Sequence, residues 1–200
     1  IASDECYAEI YYDEAQPPPG LLGAAANMGL TNFDRCLAFH SLSKRSNLPG
    51  LRSGFVAGDA KIIEKFLLYR TYHGSAMPPA TQSASIVAWS DQSHVVENRN
   101  LYRKKFDCVL STLANSLRPQ KPQAGFYLWV TTPIPDTEFA VRLYAEQNIT
   151  VLPGSLLSRD THQDSSNNNP GVNKIRMALV APLEECQDAA NRINTLLSHF

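Results

Sequence analysis

The stretch from about Ser90 to Leu117 constrains the fold more than any other part of this chain. It is long, charged and amphipathic: Glu97-Asn-Arg-Asn-Leu-Tyr-Arg-Lys-Lys-Phe106 leads into Val109, Leu110, Leu113 and Leu117. Apolar residues at spacings of three and four define a helix with one buried face. A helix of this length often joins two domains. Arg118-Pro119 ends it, because a residue ahead of proline is driven out of the helical region. With 200 residues, the chain has room for one large or two small domains.

Ahead of the long helix, short apolar runs alternate with helical patterns. Ile1-Ala-Ser-Asp4 reads as the end of a buried strand, with no turn or polar lead-in before it. Natural domains seldom open inside a strand, so the expectation is a fragment, or a chain from which a preceding segment was removed. Gln16-Pro-Pro-Pro-Gly20 is a surface loop, since three prolines suit neither a helix interior nor a central strand. Cys36–Ser41 and Ser53–Ala57 are short strands, separated by a turn at Asn47-Leu-Pro-Gly50. Asp59 caps a helix whose Ile62, Ile63, Phe66, Leu67 and Tyr69 share a face, and Met77-Pro-Pro79 opens another. Beyond the long helix the order is β-α-β-β-α: strands at Ala124–Val130, Ile149–Leu152 and Ile175–Val180, helices at Thr137–Gln147 and Pro182–Leu197. Ser158–Asn173, polar and carrying three consecutive asparagines, is expected to be a flexible surface loop. The class is α/β, with a smaller α+β unit after the long helix.

Composition removes several function classes. No apolar run is long enough to span a bilayer, and a formal net charge of -1 gives no reason to expect nucleic acid or a membrane as partner. Cys6, Cys36, Cys108 and Cys186 are scattered, with no metal-ligand spacing, and read as buried free thiols in a reducing compartment. The cytoplasm is the expected location. His40 and His73 flank the chemically dense region without a carboxylate at a telling spacing and read as structural. His94, His162 and His199 read as exposed, and Arg103, Lys104 and Lys105 as a solvated helix face.

Chemistry concentrates in Ser41-Leu-Ser-Lys-Arg-Ser-Asn-Leu-Pro-Gly-Leu-Arg52. A lysine just after a strand, among serines, glycine and two arginines, suits an anion better than a core. Hydroxyls, turn amides and a guanidinium together can cradle a phosphate. Lysine also adds to carbonyls as an imine-forming nucleophile when neighbouring cations lower its pKa. The same residues would also make an ordinary basic surface loop. Asp4-Glu-Cys-Tyr7, at the end of the first strand, adds a carboxylate that could cap a turn or pair with a ring nitrogen.

Taken together and in this order, the two motifs resemble the class I/II (fold-type I) pyridoxal-phosphate (PLP) aminotransferases. In that family an Asp-x-x-Tyr follows one strand, a Ser-x-Ser-Lys follows the next but one, and an arginine lies eight positions past the lysine. Asp4, Tyr7, Ser41, Ser43, Lys44 and Arg52 match. The family also has an arginine on a late small-domain strand, and Ile175-Arg176-Met-Ala matches it. Gly74–Pro79, Gly125–Trp129 and Val151–Gly154 look like further family landmarks. Within the family, Ser3–Tyr11, the lysine segment through Asp59, and Ala178–Cys186 are most similar to members of the diaminopimelate branch of bacterial lysine biosynthesis.

The resemblance implies an aspartate-aminotransferase-like fold. Residues 1–95 would be the remainder of a large, mostly parallel PLP-binding domain, and 96–200 a small C-terminal domain that includes the long helix. It implies PLP as cofactor, with Lys44 as the catalytic residue that holds it and shuttles the Cα proton. Asp4 would face the pyridine nitrogen, Tyr7 the phenolic oxygen, and Ser41, Ser43 and Arg52 the phosphate. Arg176 would bind the substrate α-carboxylate. The substrates would be an amino acid and a 2-oxo acid, and the complete enzyme a homodimer. Members are roughly twice this length, so the chain alone would be inactive. Other aminotransferases acting on aspartate, alanine or aromatic amino acids, carbon-sulfur lyases, and non-catalytic PLP-fold regulatory domains share these motifs.

Overall fold

Three short strands build the first sheet: β1 (Ala2–Asp4), β2 (Leu37–Ser41) and β3 (Gly54–Gly58), in the order β1-β2-β3. β1 runs parallel to β2, with Asp4 opposite Phe39, and β3 returns antiparallel to β2. A parallel pair needs a crossover, and helix α1 (Leu21–Asn27) lies in that connection. Gly58 is a required glycine. Its φ is +142°, and a Cβ there would meet the Cys36 carbonyl oxygen. The computed structural model describes residues 1–160 and 169–200. They fall into two units, Ile1–Arg99 with Gln123–Gly125, and Asn100–Pro122 with Phe126–Phe200. The expectations for His162 and for most of the Ser158–Asn173 loop lie outside the described residues.

In the first unit, α2 (Leu42–Arg45) follows β2 directly, and a 3-10 turn at Pro49–Leu51 leads to β3. α3 (Ala60–His73) starts at Asp59, whose carboxylate accepts from Arg35 N, Lys61 N and Ile62 N. α4 (Pro79–Ser90) opens on proline, where a missing N–H is harmless. Arg99 is buried. Its Nε and Nη2 donate to the two carboxylate oxygens of Glu14, 2.9 Å each, its Nη1 reaches Glu9, and the guanidinium lies 4.4 Å over the Tyr11 ring. These contacts fix the segment that follows β1.

α5 runs from Ser93 to Leu113, shorter at both ends than the sequence pattern predicts. Arg118 sits in the left-handed region, and its N–H turns back to the Leu113 carbonyl at 3.1 Å, so the last expected turn becomes a closing turn. The second sheet is β4 (Tyr127–Thr131), β5 (Leu152–Pro153) and β6 (Lys174–Ala178), antiparallel in the order β4-β6-β5. α6 (Asp136–Gln147) and α7 (Leu183–Leu197) complete the second unit. Its core holds Phe106, Leu113, Leu128, Phe139, Leu143, Ile175 and Leu196, all buried. Each such side chain contributes about 1.5–3 kcal/mol on leaving water.

Two expectations are corrected. The strand expected over Ile149–Leu152 reduces to Leu152–Pro153, because Asn148 is left-handed and Ile149 N donates back to Leu143 O, closing α6. α3 forms behind Asp59 where the pattern places it, with Ile63 half-buried and Leu67, Leu68, Tyr69 and Tyr72 exposed. His94 is half-buried between Asp91 and Ser46 instead of lying free on the surface.

Candidate active site

The parallel pairing of β1 with β2 sends the carboxyl ends of both strands to the same edge of the sheet, and each turns sharply there. After β1, the Asp4 carboxylate accepts from Cys6 N at 3.1 Å, and Ala8 N and Ile10 N donate to the carbonyls of Glu5 and Tyr7. This turn is the one that the Asp-x-x-Tyr reading requires, and it leaves both Asp4 and Tyr7 exposed. The hydrogen bonds from Cys6 hold the Asp4 carboxyl below its usual range, so it is an anion at neutral pH.

After β2, Ser41 caps α2. Its Oγ accepts from Ser43 N at 3.1 Å, and its proton is within reach of Ser43 Oγ (2.8 Å) and Ser53 O (3.3 Å). Lys44 follows, half-buried, as the third residue of the helix. The Cys6 thiol links the two turns. Burial, then the hydrogen bond and charge of Asp4, push it up to about 11, while the Lys44 ammonium pulls the other way. Asp4, Cys6 and Lys44 therefore share one electrostatic neighbourhood. Arg52, eight residues on, has left-handed backbone (φ 51°), and its exposed guanidinium donates to Pro49 O at 2.9 Å. An ionised carboxylate, an amine, two hydroxyls and a guanidinium are thus gathered at one end of the first unit.

Two contacts in this region go beyond the sequence reading. His40 has a carboxylate partner: Glu5 Oε2 lies 3.2 Å from its Nε2, and Glu5 Oε1 also accepts Leu21 N at the start of α1. The signal was strand pairing. Asp4 opposite Phe39 brings Glu5 alongside His40, which no spacing along the chain reveals. The His40 ring stacks on Phe55, with centroids 4.8 Å apart. Arg45, beside Lys44, turns inward and is buried. It donates to Ala88 O and Asp91 O and lies over Trp89, so this arginine closes a helix instead of facing an anion.

Arg176 belongs to the second unit. It sits on the central strand β6, opposite Trp129 and Leu152, with its guanidinium 5.5 Å over the Tyr127 ring. On β4, Leu128 and Val130 are buried while Tyr127 and Trp129 are partly exposed, so Arg176 shares the open face of the sheet with the two aromatics. Among the described residues it has no carboxylate partner, which leaves a half-buried planar fork available to an anion.

The model of the family described as aminotransferase class I and II matches residues 1–193, and the chain belongs to that family of PLP-dependent enzymes. It is 33% identical over 194 residues to a 4-dedimethylamino-4-oxo-anhydrotetracycline transaminase of Streptomyces rimosus, covering 96% of this chain and 50% of that one. An LL-diaminopimelate aminotransferase of Nitratidesulfovibrio vulgaris is 32% identical over 200 residues, 98% of this chain and 48% of the relative. Among solved structures, an aminotransferase of Neisseria meningitidis superposes with a TM-score of 0.91 at 51% identity, covering 98% of this chain and 49% of that one. A Thermus thermophilus structure, "probable N-succinyldiaminopimelate aminotransferase", gives a TM-score of 0.81 at 26% identity over 98% of this chain and 49% of its own. The fold is the aspartate-aminotransferase-like one of these neighbours. The chain spans about half the length of the relatives it matches.

Proposed function

We propose that this chain supplies the lysine and part of the cofactor cradle of an aminotransferase that moves the amino group of glutamate to N-succinyl-2-amino-6-ketopimelate. The observation that carries the reading is the parallel register of β1 and β2. It sets Asp4 and Lys44 at one end of the sheet, both acting on the Cys6 thiol between them. The donor set fits PLP: Asp4, held ionised, suits a protonated ring nitrogen, and Ser41, Ser43 and Arg52 suit the phosphate.

Bound there, PLP supplies an electron sink for the charge left on the substrate's Cα. Lys44 Nζ is the base that takes the Cα proton. Asp4 would keep the ring nitrogen protonated by its negative charge, and Tyr7 would offer its hydroxyl to the phenolic oxygen. Arg176 would grip the α-carboxylate through two of its guanidinium nitrogens, its plane steadied by Tyr127. In this reading residues 1–95 are the end of the large domain, 96–200 are the small one, and the whole enzyme is a cytoplasmic homodimer.

The LL-diaminopimelate aminotransferase supports a diaminopimelate-type substrate, and the Thermus structure's printed name supports its N-succinylated form. The Streptomyces transaminase, at similar identity, favours a different carbonyl acceptor as the second reading. Purified full-length protein with added PLP should be assayed with glutamate against the N-succinylated keto acid, oxaloacetate, pyruvate and aromatic keto acids. The highest kcat/KM is expected with the N-succinylated acceptor. A preference for another acceptor overturns the substrate assignment alone, and no transamination with any pair overturns the whole reading.

A further inference from the structure

Ser46 closes the helix that carries Lys44, two residues beyond it. Its hydroxyl lies 2.8 Å from Nε2 of His94, and Nδ1 of His94 lies 2.5 Å from Oδ2 of Asp91. The other oxygen of Asp91 accepts from Ser93 N at 3.0 Å and Ser93 Oγ at 2.7 Å, so the carboxylate is fixed in place. An anion at Nδ1 holds a proton there and leaves the Nε2 lone pair aimed at the serine hydroxyl. Nucleophile, base and orienting carboxylate thus stand in hydrogen-bonded order. A serine that only closed a helix would need neither of the other two.

Two more features point to chemistry at this oxygen. Nη1 of Arg45 lies 3.3 Å from the same hydroxyl, and its guanidinium is buried and anchored on carbonyls at the end of α4. That contact lets the Ser46 oxygen accept from the guanidinium and leaves the hydroxyl proton for His94 Nε2. Ser46, His94 and Asp91 also line a cavity of about 530 Å³ whose remaining wall is Leu48, Ala84, Val87 and Ala88. That wall is apolar throughout and suits a short hydrocarbon chain.

We propose that Ser46, His94 and Asp91 form a second catalytic site, which hydrolyses uncharged carboxylic esters with the acyl chain against the Leu48–Val87 wall. The Ser46 hydroxyl proton passes to His94 Nε2 as Oγ bonds to the acyl carbon. The ester C–O bond then breaks, and the alcohol leaves with that proton. Water next gives a proton to His94 and its oxygen to the acyl carbon. Ser46 Oγ departs and recovers the proton, so ester and water become acid and alcohol. Neither Lys44 nor the phosphate-binding residues take part.

The test is full-length protein treated with a fluorophosphonate, and separately with p-nitrophenyl butyrate. Peptide mapping is expected to place the phosphonyl group on Ser46, with Ser46→Ala abolishing both the adduct and the hydrolysis while its melting curve stays that of the parent. His94→Gly should hydrolyse the ester about 10²-fold or more slowly, and added imidazole should restore part of the rate, which a merely unfolded variant would not allow. An unmodified Ser46, or hydrolysis that persists in Ser46→Ala, would overturn the proposal.

Discussion

The guanidinium of Arg45 lies 5.1 Å over the ring of Trp89 and donates to the carbonyls of Ala88 at 2.7 Å and Asp91 at 3.3 Å. One buried side chain on the lysine-bearing helix therefore satisfies the end of α4, where backbone carbonyls have no partner of their own. Arg45→Ala strands those carbonyls and removes the ring contact. Hydrogen bonds to charged groups are worth about 1.5–3 kcal/mol, and a loss of that order is expected in urea unfolding of the full-length protein. Arg45→Lys should recover only part of it, because one ammonium cannot span both carbonyls and lie flat on the indole. A variant as stable as the parent would show that α4 closes without it.

The case of Arg45 shows what the sequence reveals and what it does not. Strand order, helix order and the lysine segment are legible because apolar periodicity and turn residues act locally. Asp59 capping α3 follows from residue type and position, whereas α2 and its Ser41 cap emerge only in the structure. Which of two adjacent cations, Lys44 or Arg45, turns inward is decided by α4, more than forty residues away. The Glu5–His40 pair is hidden for the same reason, since only the register of β1 on β2 creates it. Periodicity gives α3 itself, but not how far its apolar side chains are covered, and Leu67, Leu68, Tyr69 and Tyr72 stay exposed.

Asp136 gives the second unit an acid-sensitive anchor. It is buried at the start of α6, and its carboxylate accepts from Ser155 N (2.9 Å), Ser155 Oγ (2.6 Å) and Asn173 N (3.2 Å). Burial alone would raise its pKa, but the bonds from Ser155 and Asn173 outweigh it and the net shift is downward. A folded value below the unfolded one contributes stability that is complete above the unfolded pKa. That stability fades as pH falls below about 4, through the folded value. The parent should lose stability over this range, and Asp136→Asn should show a flatter acid limb in pH-dependent thermal melts. Asp136→Ala leaves donors stranded and should cost about 1–3 kcal/mol at neutral pH.

In the proposed reaction Arg176 should matter to both half-reactions, because glutamate and the keto acceptor would each present an α-carboxylate. Arg176→Lys keeps the charge but loses the planar fork and the stacking on Tyr127. A loss of about 1.5–3 kcal/mol in transition-state binding is expected, read as a fall in kcat/KM for glutamate and for the keto acid alike. Unchanged kinetics in either direction would remove Arg176 from the site.

Lys44 should be the residue that carries the cofactor. Full-length protein loaded with PLP, reduced with borohydride and digested, should yield a pyridoxyl-modified peptide containing Lys44. Lys44 is half-buried on a capped helix beside the Asp4 turn. Lys61 and Lys65 lie on α3, and Lys174 belongs to the second unit. A label on any of those three would end the assignment.

The 200-residue chain expressed alone should hold PLP poorly and show no transamination. The chain spans about half the length of its relatives. Asp4, Tyr7 and Arg52 are exposed, and water around exposed charges screens each interaction they would make with a cofactor. α3 buries none of its residues, and Leu67 and Tyr72 are 67% and 78% exposed. With Leu68 and Tyr69 they leave exposed apolar surface on this helix of the kind that drives association. Light scattering of the isolated chain should therefore report self-association, and added PLP should give no visible band of lysine-bound cofactor. Coexpression with the first half of a close relative should bring back both the monodisperse state and the band. A monodisperse chain that binds PLP through Lys44 and turns over glutamate unaided would show that these 200 residues already complete the site.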